Sequence, residues 1–222
     1  MSQQSTGRLP RVLSYIVGIC GILMLALGIT VYAITSSQLV AQRVTVADYD
    51  EGASGVPNGQ AAGQLMADPF TALAQINAIT HHMQQASQMA TGGTKDAATG
   101  TVTGGDPEVT YGNAPSITLD GQGNCTSAVS TWTDPQGLGT VQCDQGGPLQ
   151  VTGSIDAHSI TTLRGTLTTG SFLIASLFVS VIAFGVSLLI AGLGLLFLLV
   201  GIIALNLTNK SYGKAVDSKT AN

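Results

Sequence analysis

The stretch SVIAFGVSLLIAGLGLLFLLVG, residues 180–201, carries no charged side chain, and small residues recur in it every seven positions, at Ser180, Ser187, Gly194 and Gly201. An uncharged apolar run of this length reads as a helix in lipid. Lipid rewards large apolar side chains, so a ridge of small ones calls for a cause. In a bilayer, close packing rather than hydrophobicity joins helices, and small residues let two backbones approach. A period of seven keeps such a ridge on one seam of a left-handed helix pair.

A partner seam is present near the other end of the chain. Ser14, Gly21, Gly28 and Thr35 are also spaced by seven, the first three inside an uncharged run from Val12 to Ile34. That run exceeds the roughly 7–15 residues of a secretory h-region, so a retained helix is expected although Val31-Tyr32-Ala33 resembles a cleavage site. The second uncharged run extends from Ser171 to Leu207, 37 residues. At ~1.5 Å per residue it would reach roughly 55 Å, against ~30 Å of hydrocarbon. The true span is therefore expected over roughly 180–203, with SFLIASLF at 171–178 in the interface or outside it, covered by protein. Two antiparallel helices with matching ridges close into a hairpin. Gly185 and Gly192 form a second, offset file. Either every small residue serves the hairpin, or this file is a face for another membrane protein.

Composition agrees with a membrane chain. Of 222 residues, 45% are hydrophobic and 9% charged, against about a quarter charged in soluble domains. Arg8 and Arg11 precede the first run, and Lys210, Lys214 and Lys219 follow the second. The positive-inside rule then places both termini in the cytoplasm. The section between the runs has three bases, Arg43, Lys95 and Arg164, against eleven acids, a net of −8. That balance argues against a nucleic-acid partner and permits docking on a basic surface. Cys125 and Cys143 lie in this section, where an oxidising compartment would pair them. Their bridge would close a loop of about 18 residues and contribute roughly 3 kcal/mol. Cys20, inside the first helix, reads as a small buried apolar residue.

The expected fold is a membrane α-helical hairpin of two transmembrane helices with an extracytoplasmic α+β domain stapled by one disulfide. Its parts are a cytoplasmic N-terminus at 1–11, a first transmembrane helix at 12–35, an outer domain at 36–170, a long second helix at 171–207 and a cytoplasmic tail at 208–222. Within the outer domain, 36–50 leaves the membrane extended, with RVTV at 43–46 as a short strand. Residues 51–66, rich in Gly and Ala, read as linker. Asp68 and Pro69 open an amphipathic helix over about 69–90, which the glycines of TGG at 91–93 end. Residues 94–160 read as a β-rich insert, with TVTGG, EVTYGN, SITLDGQGN and LQVTGSI as short strands between turns. The segment between the cysteines reads as a stapled surface loop, with Trp132 packed on the disulfide.

Catalytic signatures are scarce. His81 and His82 are adjacent, so on a helix they point about 100° apart and do not share one metal. His158 is isolated. There is no phosphate loop, haem-attachment motif or GxSxG elbow, and neither apolar run holds an ionisable Asp, Glu, Lys, Arg or His for an ion path. The expectation is a protein without a cofactor, a metal or catalysis of its own.

Three blocks carry a resemblance: ITSSQLVAQRVTVADYD at 34–50, PFTALAQINAITHH at 69–82, and TLTTGSFLIASLFVSVIAFGVSLLIAGLGLLFLLVG at 166–201. Together they resemble a family of small two-helix membrane proteins of actinobacteria, often labelled aromatic ring-opening dioxygenases. The chain lacks the His/carboxylate set of a ring-cleaving iron site, so that label finds no support. The resemblance implies an accessory subunit of the respiratory supercomplex of cytochrome bcc and cytochrome oxidase, with integral membrane subunits and the lipid bilayer as partners. The residues expected to carry helix packing or docking are Ser14, Gly21, Gly28, Ser180, Gly185, Ser187, Gly192, Gly194 and Gly201. The other reading is an envelope scaffold or sensor that binds cell-wall or transport machinery through its outer domain. The stretch 94–160 departs from the compact pattern of the family.

Overall fold

Helix-forming sequence dominates both ends of the chain, and short strands fill the middle. The structure is a computed structural model and describes residues 8–47, 61–127 and 129–220. The start of the expected linker, 51–60, and the extreme termini lie outside the described residues. So do the side chains of Arg8, Lys210, Lys214 and Lys219, which carry most of the charge asymmetry. In order, the elements are α1 (Arg8–Ala41), α2 (Pro69–Ala90), β1 (Thr94–Lys95), β2 (Val102–Thr103), β3 (Val129–Thr133), β4 (Gly139–Cys143), β5 (Gln150–Gly153) and α3 (Ala157–Thr220). They form two compact units, one of α1 to Gln42 with α3 from Ser180 onward, the other of Arg43–Val179.

In the first unit, α1 and the later part of α3 run antiparallel. Tyr32 stacks at a tilt on Phe184, with ring centroids 4.9 Å apart. Arg11 donates to the Asn209 amide oxygen. Between these two contacts the glycines bring backbone against backbone. A Cβ on Gly21 would lie 2.5 Å from the Leu198 nitrogen, and one on Gly28 2.6 Å from the Ala191 nitrogen. No side chain fits there, so the separation of the helices is set by the absence of one. Both helices are long and apolar enough to cross a membrane.

The second unit is the α+β region. Asp68 caps α2: its Oδ1 accepts from the Phe70 and Thr71 nitrogens at 2.8 and 2.9 Å. The Thr71 hydroxyl accepts in turn from the Asp68 nitrogen at 3.2 Å, a reciprocal capping box. Strands β3, β4 and β5 form an antiparallel meander, and β1 pairs with β2. Cys125 and Cys143 are bridged, with Cα atoms 5.6 Å apart. The bridge is buried in a core with Val109, Ile117, Val141, Ile160, Leu163 and Leu167, and Trp132 packs on that core. The Trp132 indole N–H donates to the Asn113 carbonyl. A smaller cluster joins Val46, Met66, Ile76 and Leu177.

Several expectations are corrected. Residues 36–41 are not extended, because α1 runs to Ala41 and the chain turns only at Arg43, whose φ is 53°. Residues 64–66 are not linker: Thr45 bridges to Leu65, and the Met66 nitrogen donates to the Val44 carbonyl at 3.0 Å. EVTYGN is a turn, since the Asn113 side chain accepts from the Thr110 nitrogen at 2.6 Å and draws the backbone out of any ladder. SITLDGQGN supplies only isolated bridges, Leu119 to Cys125 and Asn124 to Pro148. The loop between the cysteines holds the β3–β4 hairpin. Cys20 is exposed on α1.

Helix α3 starts at Ala157, well before the expected Ser171. Asp156 stands just before it and accepts from the Ser159 nitrogen at 2.6 Å. Threonine disfavours helices because it is β-branched and polar. Here Thr161, Thr162, Thr166 and Thr168 turn their hydroxyls onto carbonyls three or four residues back. Ile160, Leu163 and Leu167 lie on one side and are buried, which outweighs the weak propensity.

The contrast between two neighbouring glycines is testable. Gly194→Leu places a side chain where a Cβ already lies 2.5 Å from the Leu25 nitrogen. It is expected to cost about 1–3 kcal/mol or more as overpacking, read as a lowered Tm of the detergent-solubilised chain. Gly192→Leu meets open space and is expected to leave Tm unchanged or slightly raised.

Candidate functional site

A helix turns 100° per residue, so positions 185 and 192 lie roughly 200° around α3 from Ser187 and Gly194. The structure separates the two files accordingly. Ser14, Gly21, Gly28, Ser187, Gly194 and Gly201 are all buried, and Ser180 is half-buried. Gly21, Gly28, Gly194 and Gly201 meet the opposing backbone directly. The Ser187 hydroxyl donates to the Phe184 carbonyl at 2.7 Å, which settles its polar group inside the seam. Gly185 and Gly192 are exposed, and a Cβ on either would meet nothing within 4 Å. Around them stand exposed Ile182, Leu188, Leu189, Leu195 and Leu196. The result is a shallow trough, floored by glycine and walled by large aliphatic side chains, on the face turned away from α1.

Only 17% of the apolar window of α1 and 11% of that of α3 is buried. A core helix of a soluble protein is mostly buried, whereas a continuous exposed apolar surface of this extent demands cover by lipid or protein. In the second unit, the α3 stretch 171–179 leaves Phe172 71% and Val179 67% exposed. Among the described residues, nothing covers them.

Several polar side chains of the second unit bind neighbouring backbone and side chains. His81 is buried and His82 exposed, with ring centroids 6.3 Å apart. His82 borders an open groove of about 670 Å³ between α2 and the start of α3, with Ile79, Met83, Thr161 and Leu173. Arg164 donates to the Ala114 carbonyl at 2.9 Å, and its guanidinium lies 4.4 Å from the Tyr111 ring centroid. Asp106 and Asp134 are buried, and Gln136 links them: its Nε2 donates to Asp106 at 2.9 Å and its backbone nitrogen to Asp134 at 3.0 Å. The Ser87 hydroxyl donates to the Asp106 carbonyl, and the Asp106 nitrogen donates to Thr91, so this junction fastens the end of α2 to the β3–β4 turn. The second oxygen of each carboxylate is buried without a hydrogen-bond partner. Among the described residues, no three of His, Cys, Asp and Glu gather into a group that could hold a metal.

Three exposed carboxyls are held below the ordinary carboxylate range by hydrogen bonds to their charged forms. For Asp96 the chief donor is the Thr99 backbone, and for Asp120 it is the Asn124 backbone. For Asp156 it is the Ser159 side chain, followed by the Ser159 backbone. Each closes a turn or helix start rather than a reaction centre.

Sequence reasoning missed the hairpin within the cysteine loop and the Asp106–Gln136–Asp134 junction. The signal for the first was the Asp134-Pro135-Gln136-Gly137 turn between two Val- and Thr-bearing arms. No local signal pairs Asp106 with residues 28 and 30 positions away. Comparison with protein-family models, curated proteins and solved structures finds no match to this chain.

The Asp156 cap has a pH signature. Its folded pKa is depressed, so its stabilisation is fully present above the ordinary carboxylate range and is lost as pH falls through the folded value. Asp156→Ala is expected to destabilise the chain by about 1 kcal/mol at neutral pH. The gap between variant and wild type should close in thermal melts taken progressively below pH ~4.

Proposed function

We propose that this chain is a non-catalytic accessory or assembly subunit of the cell membrane, docked on a larger respiratory assembly. The observation that carries the reading is the exposed Gly185/Gly192 trough, on the face of α3 opposite the seam that α1 already occupies. Lipid gains nothing from glycine at such positions, whereas a neighbouring helix gains close backbone approach. In this reading α1 and α3 cross the membrane, both termini are cytoplasmic, and the α+β unit is extracytoplasmic. The Cys125–Cys143 bridge suits an oxidising side of the membrane, and the positive-inside asymmetry suits the orientation. Exposed Phe172 and Val179 give the α+β unit apolar surface of its own, which a partner subunit would cover.

The resemblance to actinobacterial two-helix membrane proteins directs the partner choice to the cytochrome bcc–cytochrome oxidase supercomplex. An accessory role asks for no cofactor in this chain, only for helix faces that hold neighbours in place.

Replacing both Gly185 and Gly192 by Leu fills the trough without touching α1. The double variant is expected to reach the membrane, to melt like wild type, and to lose at least tenfold in haem absorbance co-purified in mild detergent. Undiminished haem in the eluate would refute the trough as the docking face. An outer unit that alone retained the partner would favour the envelope-scaffold reading instead.

A further inference from the structure

The polar face of α2 is roofed. His81, Gln84, Gln85 and Gln88 recur at i, i+3, i+4 and i+7, so they share one side of the helix. At about 100° per residue, that side lies opposite Met83, Ala86 and Ala90, which pack in the core. A polar face opposite a core face is normally left to water. Here the β1–β2 hairpin folds over it. The Gly93 nitrogen donates to the Gln88 carbonyl at 2.7 Å, and a Cβ on Gly105 would strike the same carbonyl. Both ends of the hairpin are thus fixed at the C-terminal end of α2. Its turn lies one helical turn earlier, where the Gln85 Nε2 donates to the Gly100 carbonyl at 3.5 Å.

Beneath the hairpin is a pocket of about 270 Å³, bordered by the four helix residues and, from the other side, by Val102 and Pro107. His81 is buried, and Gln85, Gln88, Val102 and Pro107 are half-buried. Among the described residues, no Asp, Glu, Lys or Arg lines it. Each glutamine offers a carbonyl acceptor and two donors. The Gly100 carbonyl takes one donor of Gln85 at the limit of hydrogen-bond range, and the amides of Gln84 and Gln88 have no side-chain hydrogen bond among the described residues.

That chemistry selects a ligand. An ionic group would enter without a counter-charge, which is costly. A purely apolar ligand would strip water from the amides and return no hydrogen bond. The volume corresponds to about nine waters at ~30 Å³ each, less than sites for drug-sized ligands. What fits is a small neutral molecule with hydroxyls around its rim and apolar C–H faces. We propose that the pocket binds one neutral sugar ring, its hydroxyls on the amides of Gln84, Gln85 and Gln88 and a C–H face against Val102 and Pro107. The site lies wholly within the Arg43–Val179 unit, and its ligand is independent of what occupies the Gly185/Gly192 trough.

The test is saturation-transfer NMR on the full-length chain in a polyoxyethylene detergent, whose headgroup is not a sugar. The probes are D-glucose, D-mannose, D-galactose and D-arabinose, with D-glucuronate and N-acetylglycinamide as controls. The expected result is transfer to at least one of the four neutral sugars, at least fivefold above either control. In the Gln85→Leu/Gln88→Leu double variant that transfer should fall at least fivefold while Tm holds. Gln84→Leu, at an exposed position, is read in the same way and guards against misfolding of the double variant. No transfer to any of the four sugars, transfer matched by glucuronate or N-acetylglycinamide, or transfer undiminished in the folded variants would overturn the proposal.

Discussion

The rest of the structure depends on one steric constraint: α1 and α3 touch backbone to backbone. At Gly21, Gly28, Gly194 and Gly201 the space where a side chain would begin is already filled by the opposite helix. Glycine in a helix costs about 1 kcal/mol relative to alanine, so four of them on one seam mark an interface whose gain comes from contact distance. The aromatic pair Tyr32–Phe184 fills the seam where small residues give way. Because the seam uses one side of each helix, the opposite sides remain apolar and uncovered. The glycines at 185 and 192 then stand out as a second low ridge that no described residue of the chain fills.

The α+β unit solves a different problem, that of a small core. It combines a capped amphipathic helix, a three-stranded meander and the first turns of α3 around a buried disulfide. Several of its polar groups join its own elements. Arg164 holds a loop carbonyl, Gln136 links two buried aspartates, and the threonines of early α3 bond their own helix.

Local sequence was informative where local physics decides. The Asp68-Pro69 start of α2 needs only its neighbours to be recognised, as does the seven-residue spacing of small residues. It failed where tertiary context overrides propensity. The Thr-rich start of α3 is helical because Ile160, Leu163 and Leu167 find a core to enter. The Asn113 turn beat a strand-like pattern by hydrogen-bonding its own backbone. The β3–β4 hairpin had a local signal in its Asp134-Pro135-Gln136-Gly137 turn, but the segment between the cysteines read as a surface loop. Of the small residues, the sequence matched the Ser187, Gly194 and Gly201 file to α1 but left open whether Gly185 and Gly192 served the hairpin as well.

The most direct test of the central claim is site-specific photo-crosslinking in living cells. Leu188, exposed between Gly185 and Gly192, is replaced by a photoreactive residue, and so in a separate strain is Ile16, exposed on the outer face of α1. The account predicts a discrete adduct from position 188 with one integral subunit of a haem-bearing complex, and none of comparable yield from position 16. Equal adducts from both positions, or none from position 188 in cells where the chain is inserted and folded, would contradict it.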